Sequence, residues 1–360
     1  MKDMTNPHPV SAASTFNARV FIDLTHLGRH VTGIERVSIE QFERVAFDSA
    51  DVTYVRSNGV LSMILRQQLW LPLLALLNPN AHFVFPGFPP SPFFVLARDR
   101  VTLYVHDLFL ITRRADLGTK AKVYTAGPFA LAVKGLRHFQ VNSEKTRAEL
   151  APYVPADADI ALYRPGVRNV FDLAPSDRAL RPQRPAPLRI ATLGTVEPRK
   201  NYGAMVPILD ALAAQGYPDA ELHVIGREGW GDATAALKNH PRVTIHGYLP
   251  SAGVKALVEA ADLYLCTSHD EGLGLPLIEA QYAGLPVVAP GKPVFREVLG
   301  ASGTFIDPAE PATAAGTIAA LVSTTGWRGR TSTAALDNTV RWNTLAATDA
   351  VAARQMFIPA

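Results

Sequence analysis

The 360 residues are 48% hydrophobic and 19% charged with a formal charge of +3, enough apolar material for two cored domains. That balance excludes a disordered chain and a polybasic arm, so no nucleic-acid partner is expected. A single cysteine, Cys266, cannot close an intramolecular disulfide, and no Cys/His cluster has zinc spacing. A reducing, cytoplasmic setting without a metal centre is the expectation.

The first 18 residues are polar and proline-bearing where a secretory signal needs an apolar core. Residues 19–23 read as a short buried strand, followed by a glycine-containing loop to Gly33. A helix follows on Ile34, Val37, Phe42 and Val45. Strand patterns recur at 52–56, 83–85, 101–105, 138–142 and 160–163, with helical patterns near 61–77, 119–135 and 144–151. The uncharged run 67–97 is broken by Pro72, Pro79, Pro86, Pro89, Pro90 and Pro92, which excludes a membrane-spanning helix there. Overlapping its start, 61–77 is rich in Leu with Arg66 as its one charge. That segment is either a buried helix of the first domain or a peripheral surface for an anionic bilayer at the inner membrane face.

Residues 169–187 are rich in proline and charge and read as a linker. Alternation then restarts with strands at 188–193, 221–225, 243–246, 263–266 and 286–289. Helices are expected at 202–214, 232–238, 254–261 and 275–283. A last helix, 341–356, follows a Gly/Ser/Thr-rich stretch at 325–338 and has no place in the second sheet. The expected fold class is α/β, two doubly wound Rossmann-like domains facing a cleft. The first spans 1–168 and takes back 340–360 as a crossing helix; the second spans 188–339.

The stretch from Ser268 to Ala289 carries the most chemistry. Glu271 lies in the loop leaving a strand, Gly272 and Gly274 permit close backbone approach, and free N–H groups at a helix starting near Leu275 favour a phosphate. Glu279, eight residues after Glu271, offers an acceptor suited to ribose hydroxyls. Arg199 and Lys200, adjacent cations after the first strand of the second domain, suit the charge that develops on a departing diphosphate. His106 stands at a strand end in Val105-His-Asp107. Asp157-Ala-Asp159 reads as a solvated turn rather than a metal site, and no GxGxxG marks a nicotinamide or flavin enzyme.

EGLGLPLIEAQYAGLPVVA resembles the E-x7-E signature of retaining glycosyltransferases of the GT-B fold, family 4, in particular mannosyltransferase-like enzymes of bacterial polysaccharide synthesis. Residues 188–310 resemble that family's donor-binding domain. The resemblance implies transfer of a hexose or deoxyhexose from a nucleoside diphosphate sugar to a saccharide or lipid-linked saccharide acceptor, with retention and without a metal. Carried over, Arg199 and Lys200 bind the diphosphate, Glu279 the ribose, Glu271 the sugar hydroxyls, and His106 the sugar from the facing domain. Gly33, in Thr32-Gly-Ile-Glu-Arg-Val37, resembles the first glycine of the family's donor loop. Two positions depart from the pattern: Thr195 stands where a further arginine is common, and Glu35 where a second glycine is usual. A GT-B sugar-nucleotide epimerase and a non-catalytic sugar-nucleotide sensor remain alternatives.

Overall fold

The computed structural model describes residues 18–27, 33–43, 50–112, 125–175 and 178–355. The amino-terminal segment, most of the loop before Gly33 and the start of the helix expected at 119–135 lie outside the described residues. Strands β1 (Ala18–Asp23), β2 (Ala50–Val55), β3 (His82–Phe85), β4 (Val101–Val105), β5 (His138–Val141) and β6 (Asp159–Leu162) form one sheet in the order β2-β1-β3-β4-β5-β6. Strands β7 (Arg189–Leu193), β8 (Glu221–Ile225), β9 (Val243–Gly247), β10 (Leu263–Leu265), β11 (Val287–Pro290) and β12 (Gly303–Ile306) form a second, ordered β12-β11-β10-β7-β8-β9. The strand pairs are parallel. Helices cover both faces of such sheets, which is why β4 and β11 are buried along their whole length and read as continuous apolar runs. This is the GT-B fold.

Helix α1 (Gly33–Ser38) passes into a π turn at Ile39–Glu43. The step from Val37 to Phe42 is five residues, and a turn closed i to i+5 keeps both side chains buried. Helix α2 (Val60–Leu77) docks on the first sheet through Met63, Gln67, Leu71 and Ala75, spaced four apart. The Gln67 amide donates to Asp23 and Thr25 at 3.1 and 2.9 Å. Its 18 residues, mean hydropathy 1.6, would suffice by length and composition to cross a bilayer, but only 22% of them are buried. Leu61, Leu65, Leu69, Trp70, Leu73, Leu76 and Leu77 are exposed, so this is not the buried helix that was one of the two expectations.

Helices α3 (Gly127–Gly135) and α4 (Glu144–Leu150) complete the first domain, the Ser143 hydroxyl capping α4 by accepting from the Thr146 N–H at 3.1 Å. In the second domain, α5 (Met205–Ala214), α6 (Ala233–Lys238), α7 (Ser251–Ala260) and α8 (Leu275–Gln281) fall near their expected places. Helices α9 (Pro293–Leu299) and α10 (Pro311–Ser323) and strand β12 were not anticipated. The segment read as a linker is partly built into the second domain. Arg178 is buried and donates to the carbonyls of Ala283 and Ala261 at 2.6 and 2.8 Å.

The last helix, α11 (Trp327–Gln355), is longer than expected and begins inside the Gly/Ser/Thr-rich stretch. Trp327 is buried in the second core, and its indole donates to the Gln183 carbonyl at 2.9 Å. The Thr331 hydroxyl donates back to the Trp327 carbonyl at 2.8 Å, so it joins the helix rather than competing with it. The far end of α11 lies on the first domain. Trp342 donates to the Pro165 carbonyl at 2.9 Å, Asp349 pairs with Arg164 at 2.7 Å, and Gln140 of β5 donates to the Ala353 carbonyl at 3.0 Å. Trp342→Ala removes a fully buried side chain at this crossing and is expected to cost about 3–5 kcal/mol. Denaturant unfolding of that variant within 1 kcal/mol of wild type, roughly the error of such a comparison, would show that the crossing carries no structural load.

Candidate active site between the two sheets

In the second sheet the strand order reverses between β7 and β10, and open parallel sheets bind ligands outside the carboxyl ends of their strands at such a switch point. The loops leaving β7 and β10 meet there. After β7, Gly194 (φ 133°) turns the chain and Pro198–Lys200 form a single tight turn, closed by Asn201 in the left-handed region (φ 51°). The turn is pinned to the other loop, because the His269 N–H donates to the Arg199 carbonyl at 2.9 Å and the Thr267 hydroxyl to the Asn201 carbonyl at 2.9 Å.

Arg199, Lys200 and Glu271 form one cluster. The Lys200 ammonium donates to Glu271 Oε1 at 2.5 Å, and Arg199 donates to Oε2 of the same carboxylate. The Ser268 hydroxyl adds a third bond at 3.0 Å, and Arg199 also holds Glu197 at 2.7 Å. Burial opposes ionisation of Glu271, but Lys200 and Arg199 outweigh it and hold the carboxyl below its ordinary value. The carboxylate thus occupies the place of an anion between two cations. The cavity at the base of the crevice, lined by Lys200, Tyr202, Ser268 and Glu271, has a volume of about 10 Å³, room for one water.

Glu279, on the second turn of α8, is brought to the same crevice but meets a partner that the sequence reading did not name. Arg36 of α1 pairs with its carboxylate across the seam between the domains. Burial pushes the Glu279 carboxyl up, Arg36 draws it back down, and Glu40 adds to the rise. Arg36 lies one turn beyond Gly33, in the stretch that departs from the family's loop. The adjacent Glu35-Arg36 was the available signal. Gly33 itself starts α1 on the exposed side, and a Cβ there would meet nothing within 4 Å, so the protein without ligand does not require glycine at this position.

The two other glycines are required by backbone geometry. Gly272 abuts the facing domain: a Cβ would lie 2.5 Å from the His106 carbonyl oxygen, and the Gly272 carbonyl accepts from the Ser143 hydroxyl at 3.1 Å. Gly274 takes φ 90° immediately before α8, a conformation that favours glycine. Leu275, first residue of α8, packs its side chain against the core of the first domain.

His106 sits at the end of β4, half-buried, its Nε2–H donating to the Pro86 carbonyl at 2.7 Å. Burial pushes its pKa down to about 4, against the pull of the Pro86 carbonyl and Glu35, so the ring is neutral at pH 7. With Nε2–H engaged, Nδ1 is an acceptor for a hydroxyl. The Asp107 carboxylate accepts from the Phe109 N–H at 3.0 Å and holds the turn. Asp157 of the DxD-like turn pairs with Arg98, well away from this crevice in sequence and sheet. Among the described residues no group of three His, Cys, Asp or Glu is arranged to hold a metal ion.

The remaining seam contacts are polar. Lys145 of α4 reaches Asp270 at 2.8 Å, and Glu297 of α9 accepts from the Glu144 N–H at 2.9 Å and from Arg164 at 3.1 Å. Arg199 lies 5.5 Å from the centre of the Phe109 ring. None of these pairings was read from sequence, since partners ninety or more residues apart leave no local pattern.

Comparison with known proteins agrees with this architecture. Residues 177–336 match the family model described as "Glycosyl transferases group 1", so the second domain is a glycosyltransferase group 1 domain. The chain is 31% identical over 121 residues to O-antigen chain mannosyltransferase B of Escherichia coli, covering 32% of each. It is 36% identical over 110 residues to the phosphatidyl-myo-inositol mannosyltransferase of Mycobacterium tuberculosis H37Rv, covering 29% of this chain and 28% of that one. The chain therefore spans about a third of the length of these curated relatives. The solved structure of WaaG, a glycosyltransferase involved in lipopolysaccharide biosynthesis, superposes with a TM-score of 0.64 at 14% identity, over 95% of this chain and 100% of that one.

The Gly272 contact yields a direct test. Gly272→Ala forces backbone apart at the seam, and is expected to destabilise the protein by roughly 1–3 kcal/mol and to enlarge its radius of gyration in small-angle scattering. An unchanged melting temperature together with unchanged scattering would show that the domains do not meet through this contact in solution.

Proposed function

We propose that this protein is a retaining glycosyltransferase of family 4 that moves a hexose, in line with its mannosyltransferase relatives, from a nucleoside diphosphate sugar to a saccharide or lipid-linked saccharide acceptor in bacterial polysaccharide synthesis. The observation that carries the reading is the cluster of Arg199, Lys200 and Glu271 at the switch point. Two half-buried cations already clasp an anion, so a diphosphate exchanges for a carboxylate rather than entering an unbalanced positive site. Displaced from the cations, Glu271 is released to accept bonds from the sugar's hydroxyls, and Glu279 accepts from the ribose. Neutral His106 accepts a sugar hydroxyl from the first domain, while Gly33, Gly272, Gly274 and the N–H of Leu275 shape the donor's path.

In the reaction the bond from the sugar's anomeric carbon to the diphosphate oxygen breaks. The acceptor oxygen bonds the same carbon from the same face, and its proton passes to the departing diphosphate. Arg199 and Lys200 stabilise the charge that builds on the leaving group, so neither a metal nor another cofactor is needed. Lys200→Ala and Arg199→Ala are each expected to weaken nucleoside diphosphate binding about tenfold or more, each contact contributing roughly 1.5–3 kcal/mol. Calorimetry with GDP, UDP, dTDP and ADP checks this and names the base. Unchanged affinity in both variants would overturn the assignment.

A lipid-linked acceptor places the enzyme at the cytoplasmic face of a membrane, and α2 supplies a surface for it. Its outer face presents Leu69, Trp70 and Leu73 beside Arg66, and no acidic residue lies between Asp51 and Asp99. Flotation with anionic vesicles is expected to carry wild type up and to leave the Leu69→Glu, Trp70→Glu double variant at the bottom. Equal recovery of both proteins would remove the membrane from the proposal.

A further inference from the structure

Glu279 is 3% exposed, and among the described residues the first domain reaches it with one guanidinium, that of Arg36. Arg36 also stands 3.5 Å from Glu40, and Glu40 takes a second cation, Arg168, at 2.8 Å. The row Arg168, Glu40, Arg36, Glu279 alternates in sign from the exposed segment that leaves the first sheet to the buried floor of the crevice. No other charged side chain lies on α8, so among the described residues the charged groups facing Glu279 are Arg36 of α1 and Glu40 of the π turn that follows it.

A buried carboxylate that loses its counter-ion takes up a proton, and a carboxylic acid then accepts at fewer lone pairs than a carboxylate. The hydroxyls of a ribose are donors best met by an ionised carboxylate, which only accepts. The direction of the Glu279 shift is consistent with this dependence, since burial raises its carboxyl and Arg36 is what lowers it.

We infer that Arg36 is a positioning residue of the nucleotide site: from the first domain it keeps the buried Glu279 carboxylate placed and ready to accept the hydroxyls of the donor's ribose. This rests on the donor reading above. It couples recognition of the ribose to approach of the domains, because the acceptor belongs to one and its counter-ion to the other.

The test compares, by calorimetry between about pH 5.5 and about pH 8.5, whichever of the ribonucleotides GDP, UDP and ADP binds wild type most tightly with its 2′,3′-dideoxy counterpart. Wild type is expected to prefer the hydroxylated nucleotide by about tenfold or more. In Arg36→Met the preference collapses at low pH and returns as pH rises, because a raised carboxyl loses its proton only on the alkaline side. Arg36→Lys is expected to restore most of it. Lys200→Ala weakens both nucleotides alike and keeps their ratio. Should Arg36→Met not fold, Glu40→Gln serves, since removing Glu40 moves the acid-side fade of the preference to lower pH. If wild type binds no nucleoside diphosphate, the donor reading falls. If it binds them and the Arg36 and Glu40 variants keep wild type's ratio and pH profile, the role of Arg36 falls alone.

Discussion

Carboxylates buried in the floor of a crevice must be neutralised, and the way this chain meets that demand organises everything around it. Glu271, Glu279 and Glu297 all belong to the second domain, and each is answered by cations or N–H groups: Arg199 and Lys200, Arg36, and Arg164 with the start of α4. Two of the three partners come from the first domain. Beside the packing of Leu275 on the first core, the seam between the sheets is therefore held by ionic and polar contacts, and contacts of that kind exchange readily for a ligand's.

Ionisation differs among these groups for physical reasons that bear on chemistry. Glu271 has two cations and stays ionised despite burial, whereas Glu279 has one cation and a nearby like charge and is raised. His106, desolvated against Tyr104, is neutral. One crevice thus contains a carboxyl lowered by two cations, a carboxyl raised by burial and a neutral imidazole.

Much of this was legible in the sequence because parallel sheets covered on both faces write themselves as apolar runs, and because the strand, turn and helix around Glu271 and Glu279 are local. Arg199 and Lys200 were legible for the same reason, as neighbours in one turn. Less visible were features set by distant contact. Helix α2 has the apolar content of a core helix, and only its docking through Met63, Gln67, Leu71 and Ala75 shows which residues are left outside. The stretch 325–338 reads as loop from its Gly, Ser and Thr content, yet Trp327 in the second core and hydroxyls bonded to preceding carbonyls make it helix. The crowding of Gly272 was not visible, because the residue that abuts it, His106, lies on the other domain.

The chain passes between its domains twice, once through Arg164–Val167 and once through α11, and the two passages are bolted together where Trp342 and Asn343 bond the backbone of Pro165 and Val167. A single linker would let one domain swivel freely about the other. Two passages joined at one place leave a door-like rotation about the line through that joint, and α11, roughly 43 Å long at 1.5 Å per residue over its 29 residues, is the leaf stiff enough to transmit it. The candidate crevice opens between the two bodies that this joint links, so Trp342 and Asn343 bear on its width although neither is one of the proposed donor contacts.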